Sequence, residues 1–269
     1  MAQSHVDEYL EKAKEWILNA GKQIKQDMKE PYEVETKKDA TDLVTEIDKK
    51  TEQYFIDQIF SVYPDHKVLG EEGMGDEVHS LDGVVWIIDP IDGTMNFVHQ
   101  QRFFAISIGI YIDGIGEIGL IYDVMDDTLY EAVRGRGSYK NGERLPNIDP
   151  HKRLDDALVG INNFWAIPNR RLNEKKIHEL VRKVKGTRSY GSAALEFAFI
   201  AEGIIDAYIT MRLQPWDIAA GKILVEEVGG ITTRVDGSEL DMMTGNTVIC
   251  SNRSIHQSLL TFIQQKDNG

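Results

Sequence analysis

The chain of 269 residues has only one cysteine, Cys250. A single thiol cannot form a disulfide within the chain, which excludes the disulfide-stapled scaffolds of small secreted domains and fits a reducing cytoplasm. Cys250 ends the strand-like run that begins at Thr247. We therefore expect it to be a buried small hydrophobe.

Long apolar runs are also missing. The longest apolar-rich segment, Phe103–Ile112, has about half of the ~20 residues that a membrane-spanning helix needs. The N-terminal residues are charged from His5 onward and lack the apolar region of a signal peptide. We therefore expect no membrane partner and a cytoplasmic location.

Positive charge is scarce, because 30 Lys and Arg stand against 44 Asp and Glu, a net charge of −14. Nucleic-acid backbones need a surplus of Lys and Arg, so direct nucleic-acid binding is not expected. A small phosphorylated metabolite is not excluded, since bound divalent metal ions invert the local charge. The length and the 42% hydrophobic content suit one large globular domain or two lobes.

Two common catalytic patterns are absent or misleading. The chain has no G-x-S-x-G motif for nucleophilic catalysis. Gly114, Gly116 and Gly119 match G-x-G-x-x-G, but the dinucleotide-binding form of that motif requires a helix to follow. The next residues, 120–122, are strand-like, and we therefore predict a hairpin.

The stretch from Val84 to Thr94 changes abruptly from apolar to acidic. Val84–Ile88 predicts a buried strand. Pro90 prevents Asp89 from continuing into a helix, and Asp92 with the following glycine predicts a turn. Two carboxylates are thereby held close together on a bend. From these residues alone, a Mg²⁺ site and a solvated turn fit equally well.

The rest of the chain predicts mixed strands and helices. Apolar spacings of three and four predict helices over about 4–29 and 45–62, the second with Thr45 as N-cap, and residues 30–42 are predicted to be a loop. An antiparallel meander is predicted from Phe103–Ile112, Glu117–Val124 and Thr128–Val133. Further strands are predicted at 155–162, 205–210, 231–235 and 247–251, helices at 173–184, 191–203, from Trp216 and at 254–265, and a short link at 187–190. Such alternation indicates layered packing.

The composition shifts near Asn147–Leu154. We therefore predict a single domain over residues 4–266 with two lobes. The N-terminal lobe, residues 4–146, would carry most metal ligands, and the C-terminal lobe, residues 147–266, would carry Asp217 and the substrate contacts.

Four acidic residues share one kind of position, because each follows a strand end or opens a helix: Glu71, Asp89, Asp92 and Asp217. Such positions are where ligands bind in layered α/β folds. Asp48 falls in the first turn of the second predicted helix, where interaction with the helix dipole is the simpler explanation. Each signal is weak by itself in so acidic a chain.

Together, however, the motifs resemble those of the inositol monophosphatase family. They are G-E-E at 70–72, W-I-I-D-P-I-D-G-T at 86–94, W-D at 216–217 and D-L-V-T-E-I-D at 42–48. The resemblance spans nearly the whole chain. It implies an α+β fold, a layered αβαβα sandwich of the inositol monophosphatase/fructose-1,6-bisphosphatase type. It also implies a Mg²⁺-dependent, Li⁺-sensitive homodimer that hydrolyses small phosphate monoesters.

The resemblance implies roles for single residues. Glu71, Asp89 and the carbonyl of Ile91 would hold one Mg²⁺, and Asp89, Asp92 and Asp217 would hold a second; Glu71 would help to hold a weaker third. Thr94, paired with Asp48, would position and deprotonate a water activated by the metal ions. Glu72 would support the site. Because the metal ions would activate the water, the protein itself would mainly position the reacting groups and stabilise charge.

The residues that resemble substrate contacts are less regular. The amides of Gly93 and Thr94 are expected to hold phosphate oxygens, and Gly191, Ser192 and Ala193 resemble the family's sugar-contacting G-T-A. Animal members carry a Glu, which binds inositol hydroxyls, where this chain has Thr210, and Arg212 follows two residues later. Arginine suits a second anionic group, but a surface salt bridge explains Arg212 equally well.

Three functions remain open from the sequence. The leading hypothesis is hydrolysis of inositol-1-monophosphate to inositol and phosphate. Within the same chemistry, Arg212 favours a sugar-bisphosphate, nucleotide-bisphosphate or NADP phosphatase. The third is a transcription-complex partner with dispensable catalysis, a role that the resemblance to a bacterial family member implies.

Overall fold

A computed structural model describes residues 2–36 and 43–264 of the chain. The helices are α1 Ala2–Asp27, α2 Glu46–Val62, α3 Thr94–Gln100, α4 Glu174–Lys183, α5 Ala193–Glu202, α6 Pro215–Glu227 and α7 Arg253–Gln264. The strands are β1 Val34–Thr36, β2 Leu43–Thr45, β3 Lys67–Gly70, β4 Val84–Asp92, β5 Ala105–Ile112, β6 Ile115–Asp123, β7 Thr128–Val133, β8 Gly137–Lys140, β9 Glu143–Arg144, β10 Leu158–Ile161, β11 Gly186–Arg188, β12 Ala207–Leu213, β13 Ile231–Thr233 and β14 Asn246–Ser251. In these ranges, no helix is long and apolar enough to cross a bilayer.

The first large sheet has seven strands in the order β3-β4-β5-β6-β7-β8-β9. All neighbours are antiparallel except β3 and β4, so the predicted meander is confirmed. Strand β4 is apolar on both faces, because Val85 and Ile87 pack in one cluster while Trp86 and Ile88 pack in the other. A strand covered on both faces shows a continuous apolar run and no alternation.

The second large sheet has five strands in the order β11-β10-β12-β14-β13. Strand β10 is parallel to both of its neighbours, and β14 is antiparallel to both of its own. Along β12, Ala207, Ile209 and Met211 pack in a cluster with α4 and α7. The alternate residue Tyr208 packs on the opposite face, with α5 and α6.

Three apolar clusters define five layers. One cluster joins α1 and α2 to the seven-stranded sheet. A second lies between the two large sheets and contains α5 and α6, and a third joins the five-stranded sheet to α4 and α7. The order of layers is therefore αβαβα, as the resemblance implied. Cys250 is fully buried in the middle cluster, as expected. The division into two lobes stays a prediction.

Most predicted elements are confirmed, but two predictions were wrong in part and one helix was missed. The segment predicted as a loop at 30–42 contains β1, which pairs with β2; its residues 37–42, including Asp42, lie outside the described ranges. The predicted link at 187–190 contains part of the edge strand β11. Helix α3 was not predicted, because its seven residues are too few to show helical periodicity.

The acidic bend also differs from the prediction. Strand β4 does not end at Ile88 but continues to Asp92, with a register shift against β5 between Asp89 and Asp92. Pro90 lies inside this irregularity, where the loss of a backbone donor is tolerated. The two carboxylates are therefore carried by an irregular strand end that is itself buried.

Candidate metal centre

Three carboxylates meet at the end of β4. Asp89 and Asp92 come from the irregular strand end, and Asp217 comes from the first turn of α6. One carboxylate oxygen from each lies within 4.8 Å of the other two. Residues that are more than a hundred positions apart in the sequence thereby form one acidic cluster.

Helix α6 reaches this position because it packs very close to the seven-stranded sheet. A Cβ on Gly109 would lie 2.7 Å from the side chain of Ala219, and one on Gly119 would lie 2.5 Å from the carbonyl oxygen of Ala220. Gly119 is the last glycine of the G-x-G-x-x-G match, which lies in the β5–β6 hairpin as predicted. Its role is to leave room for a helix, not to bind a dinucleotide.

The electrostatics of the cluster favour a cation. Burial raises the pKa of Asp89 well above its usual range, and repulsion by Glu71, Asp92 and Asp217 raises it further. The pKa of Asp217 is raised in the same way, although Arg212 partly offsets the shift. Buried like charges at this spacing are unfavourable without a counter-charge, and carboxylate oxygens are the ligands that Mg²⁺ prefers. The donor set therefore fits a hard divalent ion.

Asp92 also joins the two halves of the chain. Its carboxylate accepts hydrogen bonds from the hydroxyl of Ser192 and, at 2.7 Å, from the N–H of Ala194. Burial raises the pKa of Asp92 to about 6, and these hydrogen bonds counteract the rise. Ser192 is in addition the N-cap of α5, so the start of that helix is fixed against the acidic cluster.

Asp48 and Thr94 lie beside one another, as the resemblance implied. Asp48 is fully buried, and one of its oxygens accepts hydrogen bonds from the N–H and the hydroxyl of Thr45. Its other oxygen lies 3.3 Å from the hydroxyl of Thr94, which is also 3.1 Å from the carbonyl oxygen of Ile91. One oxygen of Asp48 therefore belongs to the N-terminal cap of α2, and the other faces the hydroxyl of Thr94.

The environment of Asp48 also changes its acidity. Burial raises its pKa to about 6, the bonds from Thr45 lower it, and repulsion by Glu71 raises it. A carboxyl group with such a pKa can hold or release a proton near neutral pH, which is the property that a general base needs.

Glycines let the two halves of the chain approach at this point. Gly93 has φ +98°, and a Cβ there would lie 3.2 Å from the carbonyl oxygens of Gly191 and Phe103. Gly191 has φ +79°, and a Cβ there would lie 2.9 Å from the side chain of Asn96. Asn96 itself donates to the carbonyls of Phe103 and Tyr190. Any residue with a side chain at position 93 or 191 would be strained and crowded.

A cavity of about 780 Å³ opens next to the cluster, a size typical of small-molecule sites. Asp92 and Asp217 line it from the acidic side. The predicted substrate residues that line it are Gly191, Ser192, Ala193, Thr210 and Arg212. Thr210 is buried and Arg212 is exposed, and both face the same cavity, as strand alternation predicts.

The remaining predicted residues lie nearby but outside the three-acid cluster. The side chain of Glu71 contacts that of Asp89. Glu72 follows it, and its N–H is bound by the carboxylate of Glu52, at 2.8 Å. His99, for which a structural or surface role was expected, is exposed.

Sequence reasoning missed three buried polar side chains around the site: Glu52, Asn96 and Glu196. Glu196 lines the cavity, and one of its oxygens accepts a 2.9 Å hydrogen bond from the N–H of Tyr190. Its other oxygen has no hydrogen-bond partner among the described residues, and burial raises its pKa to about 7. A charged residue inside the apolar run A-A-L-E-F-A-F was the available signal.

Comparisons with known proteins agree with this geometry. Residues 5–268 match the model of the inositol monophosphatase family. A protein of Bacillus subtilis (strain 168) named inositol-1-monophosphatase is 55% identical over 247 residues, covering 92% of this chain and 93% of the relative. Nus factor SuhB of Salmonella typhimurium is 37% identical, covering 90% of both chains. The crystal structure of an IMPase/NADP phosphatase with NADP and Ca²⁺ has a TM-score of 0.89 and 29% identity, covering 98% of this chain and 97% of that one.

Proposed function

The chain belongs to the inositol monophosphatase family, and from this premise we propose that it hydrolyses inositol-1-monophosphate to inositol and phosphate with the help of Mg²⁺. The observation that carries the proposal is the cluster of Asp89, Asp92 and Asp217 at the edge of a cavity of small-molecule size. The Bacillus relative carries the same activity in its name.

The proposed ligands are carboxylate and carbonyl oxygen atoms at the end of β4 and on residues close to it. Asp89, Asp92 and Asp217 would share one ion, and Glu71, Asp89 and the carbonyl of Ile91 would hold another, with Glu71 helping to hold a weaker third. When bound, Mg²⁺ would neutralise the phosphate, lower the pKa of water and stabilise the departing alkoxide. The contact between Glu71 and Asp89 supports grouping them.

The proton path is proposed from Thr94 to Asp48. The Thr94 hydroxyl has one hydrogen and two acceptors in reach, Asp48 and the Ile91 carbonyl. When its hydrogen points to Asp48, the lone pairs of Thr94 are free to accept a hydrogen bond from the attacking water. Thr94 would thereby orient the water, and Asp48 would take up the proton. Glu72 was predicted to support the site. In this proposal it binds neither metal nor substrate, and it supports the site because it follows Glu71 in the chain.

Substrate is proposed to bind between the two halves of the chain. The amides of Gly93 and Thr94 would hold phosphate oxygens, while Gly191, Ser192 and Ala193 would contact the inositol ring. The close approach of Gly93 to Gly191 supports this arrangement, because it brings both segments to Asp92. Thr210 would offer the ring a hydroxyl where animal relatives offer a carboxylate.

A second candidate function is a phosphatase for substrates with two phosphates, such as a sugar bisphosphate, a nucleotide bisphosphate or NADP. Arg212 favours it, since this exposed guanidinium lines the same cavity as Asp217. The structural neighbour solved with NADP is named an IMPase/NADP phosphatase. A guanidinium at the cavity mouth would bind a distal phosphate through paired hydrogen bonds.

A screen for phosphate release tests these proposals. Purified protein with Mg²⁺ would be offered inositol-1-phosphate, sugar bisphosphates, phosphoadenosine phosphate and NADP. Turnover of inositol phosphate that Li⁺ inhibits is the expected result. A clear preference for bisphosphates would favour the second candidate, and no turnover of any substrate would contradict both.

The proposal has three further parts: two lobes that meet near residues 147–154, a homodimer, and a cytoplasmic location. Light scattering of the purified protein tests the dimer. The alternative that the sequence left open is a role as a transcription-complex partner, and the Salmonella relative is named Nus factor SuhB. Capture of RNA polymerase by the wild type and by a catalytically inactive variant alike would favour that alternative.

A further inference from the structure

Helix α2 carries a second buried carboxylate that the proposed reaction does not use. Glu52 follows Asp48 by four residues, so the two side chains lie on the same face of the helix, one turn apart. Both are fully buried. Charged side chains are almost never fully buried unless other groups bind them.

Glu52 binds the backbone of the segment that carries Glu71. One carboxylate oxygen accepts the N–H of Glu72 at 2.8 Å, and the other accepts the N–H of Met74 at 2.9 Å. The N–H of Glu71 itself donates to the carbonyl of Ile88 on β4, at 3.2 Å. The backbone around Glu71 is therefore held from one side by the strand and from the other by Glu52.

A glycine makes room for this contact. A Cβ on Gly70 would lie only 2.4 to 2.6 Å from the three carboxylate atoms of Glu52. Gly73, in the same segment, has φ +69° and open space around the Cβ position, so backbone conformation explains that glycine. Gly70 is not among the residues with positive φ. A side chain at position 70 would collide with the carboxylate of Glu52, and this explains why the position is a glycine.

We propose that Glu52 is a positioning residue for the metal site: by binding the N–H groups of Glu72 and Met74, it fixes Glu71 against Asp89. The proposal rests on the assignment of Glu71 as a metal ligand under the proposed function. The two hydrogen bonds that define this role go to backbone N–H groups. Its loss should weaken the affinity for divalent ions and leave turnover at saturating metal largely intact.

The test is Glu52→Gln in the full-length protein. An amide can accept only one of the two N–H groups, and its own NH₂ group then faces the other. Binding of Mn²⁺, followed by calorimetry without substrate, should weaken by about tenfold or more, as for other residues that orient metal ligands. The Mg²⁺ concentration for half-maximal phosphate release should rise in parallel, while kcat at saturating Mg²⁺ changes by less than about threefold.

Gly70→Ala disturbs the same contact from the other side and should weaken Mn²⁺ binding in the same way. Because both changes act on one contact, the double variant should be no worse than the worse single variant. Glu202→Gln is the matched control, since this carboxylate accepts hydrogen bonds from Tyr130 and Lys140 and takes no part in the metal site. It should bind Mn²⁺ as the wild type does.

The outcomes separate this inference from the proposed function. If the wild type binds no Mn²⁺, the proposed function fails and this inference fails with it. If the wild type binds Mn²⁺ and both Glu52→Gln and Gly70→Ala bind it equally well, only the inference is overturned. A lower melting temperature of the metal-free variants with unchanged Mn²⁺ affinity overturns it too, because the role would be structural. If Glu52→Gln does not fold, the Mn²⁺ affinity of Gly70→Ala decides.

Discussion

The two ends of the candidate site are built differently. The metal end consists of Asp48, Asp89, Asp92 and Asp217, of which three are buried, and each accepts at least one hydrogen bond from a backbone N–H. The substrate end consists of four residues that line the cavity outside the acidic cluster, Thr210, Arg212, Phe164 and Arg170, of which the last three are exposed. Hydrogen bonds from the backbone hold the carboxylates of the metal end, whereas most side chains of the substrate end are exposed.

This difference has a thermodynamic meaning. At the metal end, burial and mutual repulsion raise the pKa of Asp89 and of Asp217, so the metal-free site is unfavourable. Binding of a divalent ion removes that repulsion, and any ligand that binds only the folded state stabilises it. The substrate end carries no such unfavourable charge. We therefore expect changes at the metal end to alter stability and catalysis together, and changes at the substrate end to alter selectivity alone.

The largest effect is expected for Asp89→Asn. The substitution removes a charge but little volume, and it should lower Mg²⁺-dependent turnover by roughly 10³-fold or more, since metal ions supply several kcal/mol of transition-state stabilisation. The same change should raise the melting temperature of the metal-free protein, because it relieves repulsion among buried carboxylates. Phosphate release and thermal unfolding in a chelator measure the two effects.

The distinctive result is a fall in turnover together with a rise in the melting temperature of the metal-free protein. A variant that loses turnover because it is unfolded would show a lower melting temperature instead. Turnover near the wild-type rate would contradict the shared role of Asp89 in holding metal ions. A lower melting temperature without metal would contradict the account of electrostatic strain.

The next largest effect is expected for the proton path. Thr94→Ala and Asp48→Asn should each lower kcat by about 10²-fold or more, the usual contribution of general-base catalysis. If the two act as one unit, the double variant should be no slower than the slower single variant. Phosphate release at saturating Mg²⁺ and substrate gives kcat for all three. Multiplied losses would show that Thr94 and Asp48 act separately.

The metal end was the part that the sequence predicted best. Its residues lie in short motifs on or beside regular elements, so the positions of Asp89, Asp92 and Asp217 follow from local pattern and family resemblance. Even there, the pattern at Pro90 was misread as the end of a strand. A buried irregularity in the ladder and an exposed bend carry the same residue types, and only the pairing of β4 with β5 distinguishes them.

Other parts of the site could not be predicted, because they depend on contacts distant in sequence. Glu52 appeared as one more charged residue on an amphipathic helix, and its contact with the N–H of Glu72 crosses 20 positions. Asn96 joins Tyr190 across 94 positions. At the substrate end, Phe164 lies in a short 3-10 helix and Arg170 in the loop after it, and this segment follows β10, which pairs with the distant strand β12.

A smaller effect is expected when pH is varied. Asp48 and Asp92 have a pKa of about 6 in the folded protein, raised from 3.8. A raised pKa means that the folded state holds these protons more tightly than the unfolded chain. The stability that they contribute to the metal-free protein is therefore present below about pH 4 and is lost as pH rises to about 6. A metal ion bound by Asp92 opposes that loss at Asp92, because it stabilises the ionised carboxylate.

The rise in melting temperature that Mg²⁺ produces should therefore be larger at pH 7.5 than at pH 5. About one pH unit of protonation of the Asp92 carboxyl corresponds to about 1.4 kcal/mol of unfolding free energy. Thermal unfolding with and without Mg²⁺ at both pH values measures the difference. Titrating groups elsewhere contribute equally with and without Mg²⁺ at one pH, so their contributions cancel. Asp89→Asn is the control and should show little metal-induced rise at either pH. An equal rise at both values in the wild type would contradict the electrostatic account.

The smallest effect, and the one that tests the substrate end alone, is expected for Arg212→Ala. Because the guanidinium is exposed, we expect the lower limit for a charged hydrogen bond, about 1.5 kcal/mol, or roughly a tenfold loss of kcat/KM for substrates with a second phosphate. Hydrolysis of inositol-1-phosphate should change far less, since it has no distal anion. Thr210→Glu should shift preference the opposite way, because a carboxylate accepts from ring hydroxyls and repels a second phosphate. The metal-induced rise in melting temperature should be nearly the same in Arg212→Ala as in the wild type. Equal losses for both substrate classes would mean that Arg212 acts on the acidic cluster through its charge near Asp217, and the separation between the two ends would then fail.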